Sequence, residues 1–165
     1  MYDPTRSIIK AFIDTLEGSV KYDQAQYPVY SVVPKEAPNS YVLVDSVTMR
    51  EDGTKDAFLT ECTVLVRVIT RYQGVGSKYK LGNLADKVMQ IIQPNPSYTL
   101  AMSSKFSMVT LSLESSGDII DFTHLSDREL QQPIRYRMIV EQVQDPDYYI
   151  GDYDSDDYDH DEYNF

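Results

Sequence analysis

The run from about Ala57 to Tyr72 is the feature that most restricts the fold. Thr60, Cys62, Val64, Val66 and Val68 alternate with Glu61, Thr63, Leu65, Arg67 and Ile69. Alternation with β-branched residues is the mark of a strand, and at this length it is the longest element of the chain. Both of its faces are apolar near the middle, which predicts a central strand covered on both sides. The rest of the chain must therefore supply strands to flank it and helices to cover it.

Three more extended runs are readable. Tyr27–Val33 ends at Pro34, Tyr41–Met49 precedes the turn Arg50-Glu51-Asp52-Gly53-Thr54-Lys55, and Ile134–Val143 closes the pattern. Asp-Gly is a strong hairpin signal, so the 41–49 and 57–72 runs should pair antiparallel. A further strand is expected over about Phe106–Glu114, with 115–132 left irregular. Two helices are expected. In the first, Ile8, Ile9, Phe12, Ile13 and Leu16 share one stripe, with Pro4 suited to the first turn and Gly18 to the stop. In the second, Leu81, Leu84, Ala85, Val88, Ile91 and Ile92 follow helical spacing, Ser77 is placed to cap, and Pro94 ends the element. The order predicts an α+β fold: a mostly antiparallel sheet of about five strands with two helices packed on one face, plus an acidic C-terminal tail.

The chain has 165 residues, the length of one ordinary domain. Its formal charge of −11 is unevenly placed. Nine of the 26 acidic residues lie in 145–165 with no Lys or Arg among them, which leaves 17 acids against 15 bases in residues 1–144. We therefore divide the chain into a nearly neutral α+β domain, 1–144, and an acidic, Tyr-rich tail, 145–165, extended or disordered until bound. No stretch reaches the roughly 20 apolar residues that span a bilayer, and the N-terminus lacks the apolar core of a signal peptide. Cys62 is alone, so a disulfide framework and a Cys-based zinc site are excluded and a reducing cytosol is the default compartment. The balance of charge also discourages tight, sequence-independent DNA binding.

Residues for catalysis or metal binding are scarce, and no catalytic, cofactor or metal site is expected. Cys62 and His124 could form a nucleophile pair, but a cysteine alternating with valines reads as a small core residue. Gly74-Val75-Gly76 lacks the third glycine of a dinucleotide fingerprint, position 79 being Tyr, and it lacks the Gly-Lys-Ser/Thr of a P-loop. Asp152-x-Asp154-x-Asp156 matches the first ligands of an EF-hand loop, but Asp157 stands where Gly is needed and Tyr163 where Glu is needed. The tail is instead a candidate docking segment. Tyr148, Tyr149, Tyr153, Tyr158, Tyr163 and Phe165 are spaced among carboxylates that include Asp154, Asp156 and Asp157, a composition suited to a partner offering apolar slots and basic residues.

The wording of several segments resembles a known family. These are Val29-Tyr30-Ser31-Val32-Val33-Pro34, Pro38-Asn39-Ser40-Tyr41-Val42-Leu43-Val44, the long strand through Tyr72, Leu84–Ile92, and Ile134-Arg135-Tyr136-Arg137-Met138-Ile139-Val140. Over roughly residues 5–143 their order resembles the tail-completion or tail-terminator proteins of tailed bacteriophages. The 115–132 stretch and the Asp/Tyr tail depart from that pattern. The resemblance implies a structural, non-enzymatic virion protein, assembled in the host bacterial cytoplasm. It would form a homo-oligomeric ring, six-fold or twelve-fold, in the head–tail connector or tail. Its neighbours would be portal, adaptor, tail-tube or tail-hub proteins, with DNA only passing through the lumen and no membrane involved. A ring requires a heterologous interface, for which Arg50, Glu51, Asp52 and Lys55 of one loop and Gln73 and Ser77 of another are candidates. The alternative is a non-ring virion or host adaptor whose acidic tail docks on a basic partner.

Overall fold

A computed structural model describes residues 1–54, 57–73, 77–123 and 128–143. The elements run α1 (Thr5–Leu16), β1 (Lys21–Tyr22), β2 (Ala25–Gln26), β3 (Val29–Tyr30), β4 (Ser40–Glu51), β5 (Leu59–Tyr72), α2 (Lys78–Ile92), β6 (Phe106–Ser116), β7 (Ile120–Thr123) and β8 (Arg128–Gln142). The fold is α+β, as expected. Six strands form one sheet in the order β3-β4-β5-β8-β6, with β7 also on β8, and β1-β2 make a separate ribbon. All pairings in the sheet are antiparallel except β3 with β4.

β5 is central, flanked along its length by β4 and β8. Its Cys62, Val64, Val66 and Val68 are fully buried beside Val42 and Val44 of β4 and Ile134, Tyr136, Met138 and Val140 of β8. Ile8, Ala11, Phe12 and Leu16 of α1 and Leu81, Leu84, Ala85, Val88 and Ile92 of α2 close the same core. Each fully buried Val, Leu, Ile, Phe or Met among them contributes about 1.5–3 kcal/mol by leaving water. Phe12 sets its ring 5.7 Å from that of Tyr136, tilted by 56°. Gly18, at φ 73°, takes the left-handed conformation that ends a helix at little cost. Ser77 caps α2, its Oγ accepting from the Tyr79 N–H at 3.2 Å.

Several expectations are corrected. β5 is central but helices cover only one of its faces; on the other, Leu65 and Ile69 alternate with charged side chains that find partners across strands. The 27–33 run pairs only at Val29–Tyr30, alongside Val42 and Leu43. Between α1 and β3, where no strand was expected, lies the β1-β2 ribbon, turned by Asp23 and Gln24 at φ 50° and 62°. The β4–β5 pairing also carries on past Glu51: Asp52 N–H donates to the Leu59 carbonyl at 3.0 Å and Thr54 N–H to that of Ala57 at 3.1 Å.

The largest correction concerns 115–132, whose described residues are mostly strand rather than irregular. β6 runs on to Ser116, β7 follows at Ile120, and both lie along a β8 that begins at Arg128. Pro133 obscures this, because a proline lacks the ladder N–H and argues against a central strand. It is accommodated at a gap, since β6 pairs with β8 up to Ile134 and β7 resumes at Gln131. Within that gap the Pro133 carbonyl accepts from Gly117 N–H at 2.8 Å. A Cβ on Gly117 would sit 2.8 Å from Pro133 Cγ, a distance real side chains do not tolerate. Gly117→Ala is therefore expected to destabilise the domain by about 1–3 kcal/mol, the usual cost of overpacking, read as a lowered midpoint in urea.

Candidate assembly surfaces

The face of the sheet turned away from the helices carries matched charges. Arg67 pairs with Asp45 at 2.9 Å, Arg71 with Glu129 at 2.8 Å, Arg137 with Glu61 at 2.5 Å, and Arg135 lies 3.9 Å from Glu114. Gln131 joins two of these pairs: it accepts from Arg67 Nη1 at 3.2 Å and donates to Glu129 at 2.5 Å. Arg71 also lies over the Tyr41 ring, 5.9 Å from its centroid, and Tyr30 meets Tyr41 edge-on at 5.8 Å. Half-exposed pairs of this kind contribute roughly 0–1 kcal/mol each. Their larger effect is to fix register across β4, β5 and β8 and to leave the face neutral. Asp45 reaches Arg67 from the bulge between Val44 and Ser46. Periodicity could not have revealed these partnerships, which join residues distant in sequence.

The two flanks of the sheet differ. Beyond Leu43 no described strand lies outside β4, so residues 46–51 present an open backbone edge that carries Arg50 and Glu51. The opposite flank is partly closed. Gln93, just after α2, donates to the Leu111 carbonyl at 3.0 Å and accepts from Leu113 N–H at 3.2 Å, satisfying outward groups of β6. Bulges between Met108 and Thr110 and between Leu113 and Ser115 distort that edge further, a common defence against stray strand pairing. This flank instead exposes apolar side chains: Val109, Leu113, Ile120 and Phe122 are each 39–49% accessible.

The candidate loop residues do not converge. Arg50, Glu51 and Asp52 are exposed at one end of β5, and Gln73 and Ser77 are exposed at the other. With about 3.3 Å per strand residue, the two groups stand roughly 40 Å apart. Tyr72 Oη donates to the Ser77 carbonyl at 2.8 Å and ties the second group to β5. Lys55, the Gly74–Gly76 turn, His124 and every candidate tail residue from Tyr148 to Phe165 lie outside the described residues.

Cys62 is a core residue. Its thiol is fully buried, lies 3.9 Å from the Thr60 carbonyl, and is pushed up to about 11, first by burial and then by the charges of Asp3 and Glu61. A thiol held protonated in this way is a poor nucleophile. Among the described residues no three His, Cys, Asp or Glu side chains come together as a metal site, and no helix is long and apolar enough to cross a membrane.

One more surface was hidden by the apolar stripe itself. α1 buries Ile8, Ala11, Phe12 and Leu16, so its contact face is centred toward Ala11, and Ile9 and Ile13 pack at its margin. These two isoleucines are only partly buried and floor a shallow, open depression edged by Arg6, Lys10 and Asp14.

No protein-family model matches this chain, and no curated protein matches it. Its fold does match a solved one. The similarity is to a chain in the virion of a native gene transfer agent (GTA) particle, with a TM-score of 0.53 over 82% of this chain and 85% of that one. Sequence identity is 16%, so the likeness is one of fold.

Proposed function

We propose that this chain is a structural component of a phage-type virion. It builds a homo-oligomeric ring at the head–tail junction or in the tail and joins neighbouring virion proteins while DNA passes through. The observation that carries this reading is the α+β fold shared with a chain of a GTA virion along most of both lengths. Two properties of the subunit support it. A ring requires one surface to meet a different surface of the next copy, and the open β4 edge and the apolar β6–β7 flank are two such unlike surfaces. The charge-matched sheet face has no surplus of cations to hold phosphate, which suits a passage through which DNA must slide. In this reading residues 1–144 are the ring-building domain, 145–165 a separate arm, and the protein performs no catalysis.

Negative-stain images of the purified full-length chain test the ring directly, with six-fold or twelve-fold rings expected. Leu113→Asp together with Phe122→Asp should leave the protein folded and abolish them. A protein that stays monomeric at high concentration, with its neighbouring virion proteins present, would refute the ring. The alternative, an adaptor without a ring, rests on the acidic, aromatic composition of the arm. Truncation after Gln144 is expected to preserve the fold and weaken attachment to the next virion component, measured by co-sedimentation. Unchanged attachment would remove the arm from that role.

A further inference from the structure

The partly covered strip on α1 and the arm that leaves β8 are neighbours. Gln142 Oε1 accepts from Tyr2 N–H at 2.8 Å, and Val143 N–H donates to the Lys105 carbonyl at 2.9 Å. Lys105 Nζ lies 4.7 Å from the Tyr2 ring, and the hydroxyls of Ser7 and Ser103 meet at 2.9 Å. The chain therefore emerges beside the first turn of α1. An extended chain spans up to about 3.3 Å per residue, so the segment after Val143 can reach any point on α1. The helix is only about 18 Å long at 1.5 Å per residue.

We propose that residues 145–165 of the same chain seat along α1, covering Ile9 and Ile13 with tyrosines and Ile150 and setting carboxylates against Arg6 and Lys10. The chemistry of the two surfaces matches. The strip offers an apolar floor with two cations at its rim, and the segment offers Tyr148, Tyr149 and Ile150 between Asp147 and Asp152. Lys10 already pairs with Asp14 at 2.5 Å, but that pair is well exposed, with side chains 71% and 55% accessible. It is therefore weak enough to be exchanged. Asp3, the other acid at this end of the helix, is engaged by Thr5, whose N–H it accepts at 2.8 Å. The proposal does not depend on ring formation. If a basic partner also binds the arm, that partner must displace it from α1.

The buried, unreactive Cys62 makes a site-specific test possible in the full-length chain. Tyr153→Cys provides the one accessible thiol for a nitroxide spin label, and isoleucine methyl groups report its proximity by NMR. Ile9 and Ile13 are expected to lose most of their signal intensity, while Ile69 and Ile139, on the far face of the sheet, keep theirs. Adding Arg6→Glu and Lys10→Glu should restore the Ile9 and Ile13 signals. The proposal is overturned by broadening at Ile69 and Ile139 instead, by uniform broadening, or by broadening that survives the two charge reversals. It is equally overturned if the loss appears when spin-labelled chains without isotope are mixed with isotope-labelled chains without spin label. That result would mean a second copy supplies the segment, and imaging for rings would report separately on assembly.

Discussion

Phe12→Ala is expected to destabilise the domain by about 3–5 kcal/mol, the usual range for truncating a buried aromatic. Phe12 is fully buried, and it is where α1 meets both the sheet, through Tyr136, and its own neighbours Ile8 and Leu16 on the buried face. Removing the ring leaves a cavity between two layers held in register by strands below and a helix above, so little collapse is available to fill it. Denaturant unfolding of the full chain gives the measurement. Ile13→Ala is the control, because Ile13 shares the sequence stripe but is only partly buried, at the margin of the core. Its loss should be much smaller. Equal losses at the two positions would mean that the buried face of α1 is assigned wrongly.

Alkaline destabilisation is the second large effect, and its direction follows from buried acids that keep their protons. Burial, with help from Asp3 and Glu61, moves the Cys62 thiol from an ordinary value of 9.0 to about 11. In the unfolded chain the thiol ionises near its ordinary value, while the folded chain still holds the proton. The unfolded state therefore binds fewer protons between these two values, and stability falls as pH rises. Two units correspond to about 2–3 kcal/mol, fully present below about pH 9 and lost by about pH 11. Tyr136 adds to the same trend, since burial pushes its phenol up as well. Urea midpoints measured from neutral to alkaline pH should fall across this window. Cys62→Ala should flatten the thiol's share of the slope, and Tyr136→Phe the phenol's share. A variant with neither group that still loses stability in parallel with the parent would place the alkaline sensitivity elsewhere.

The helices were legible because each carries both its period and its punctuation: Gly18 after α1, and Ser77 and Pro94 around α2. β5 was legible from alternation alone. What stayed hidden depended on partners distant in the chain. Leu65 and Ile69 implied a second covering layer, whereas the structure covers that face with Arg67, Arg71 and carboxylates contributed by β4 and β8. Pro133 implied an irregular stretch because the gap that tolerates it is made by Gly117, in the link between β6 and β7. The β1-β2 turn was missed because Asp23-Gln24 is not the usual pair for two left-handed residues. The described candidate loop residues are exposed, and their placement at opposite ends of β5 is a property of topology that no local motif reports. The partly covered strip on α1 was concealed by the same stripe that revealed the helix.

The position of β8 has a consequence for how the chain folds. β8 is the last of the described strands in sequence, yet it lies between β5 and β6 and also carries β7. Until residues 128–142 are available, β5 lacks its second neighbour, and β6 and β7 have no strand to join. Such long-range pairing makes folding slow and leaves strand edges open to other chains during the wait. A nascent or refolding molecule therefore passes through a sticky interval that ends only with its final strand. The segment that follows β8 carries nine acids and no Lys or Arg. Like-charge repulsion between such segments keeps neighbouring chains apart while each completes its sheet. Refolding yield at high protein concentration should therefore fall when residues 145–165 are removed.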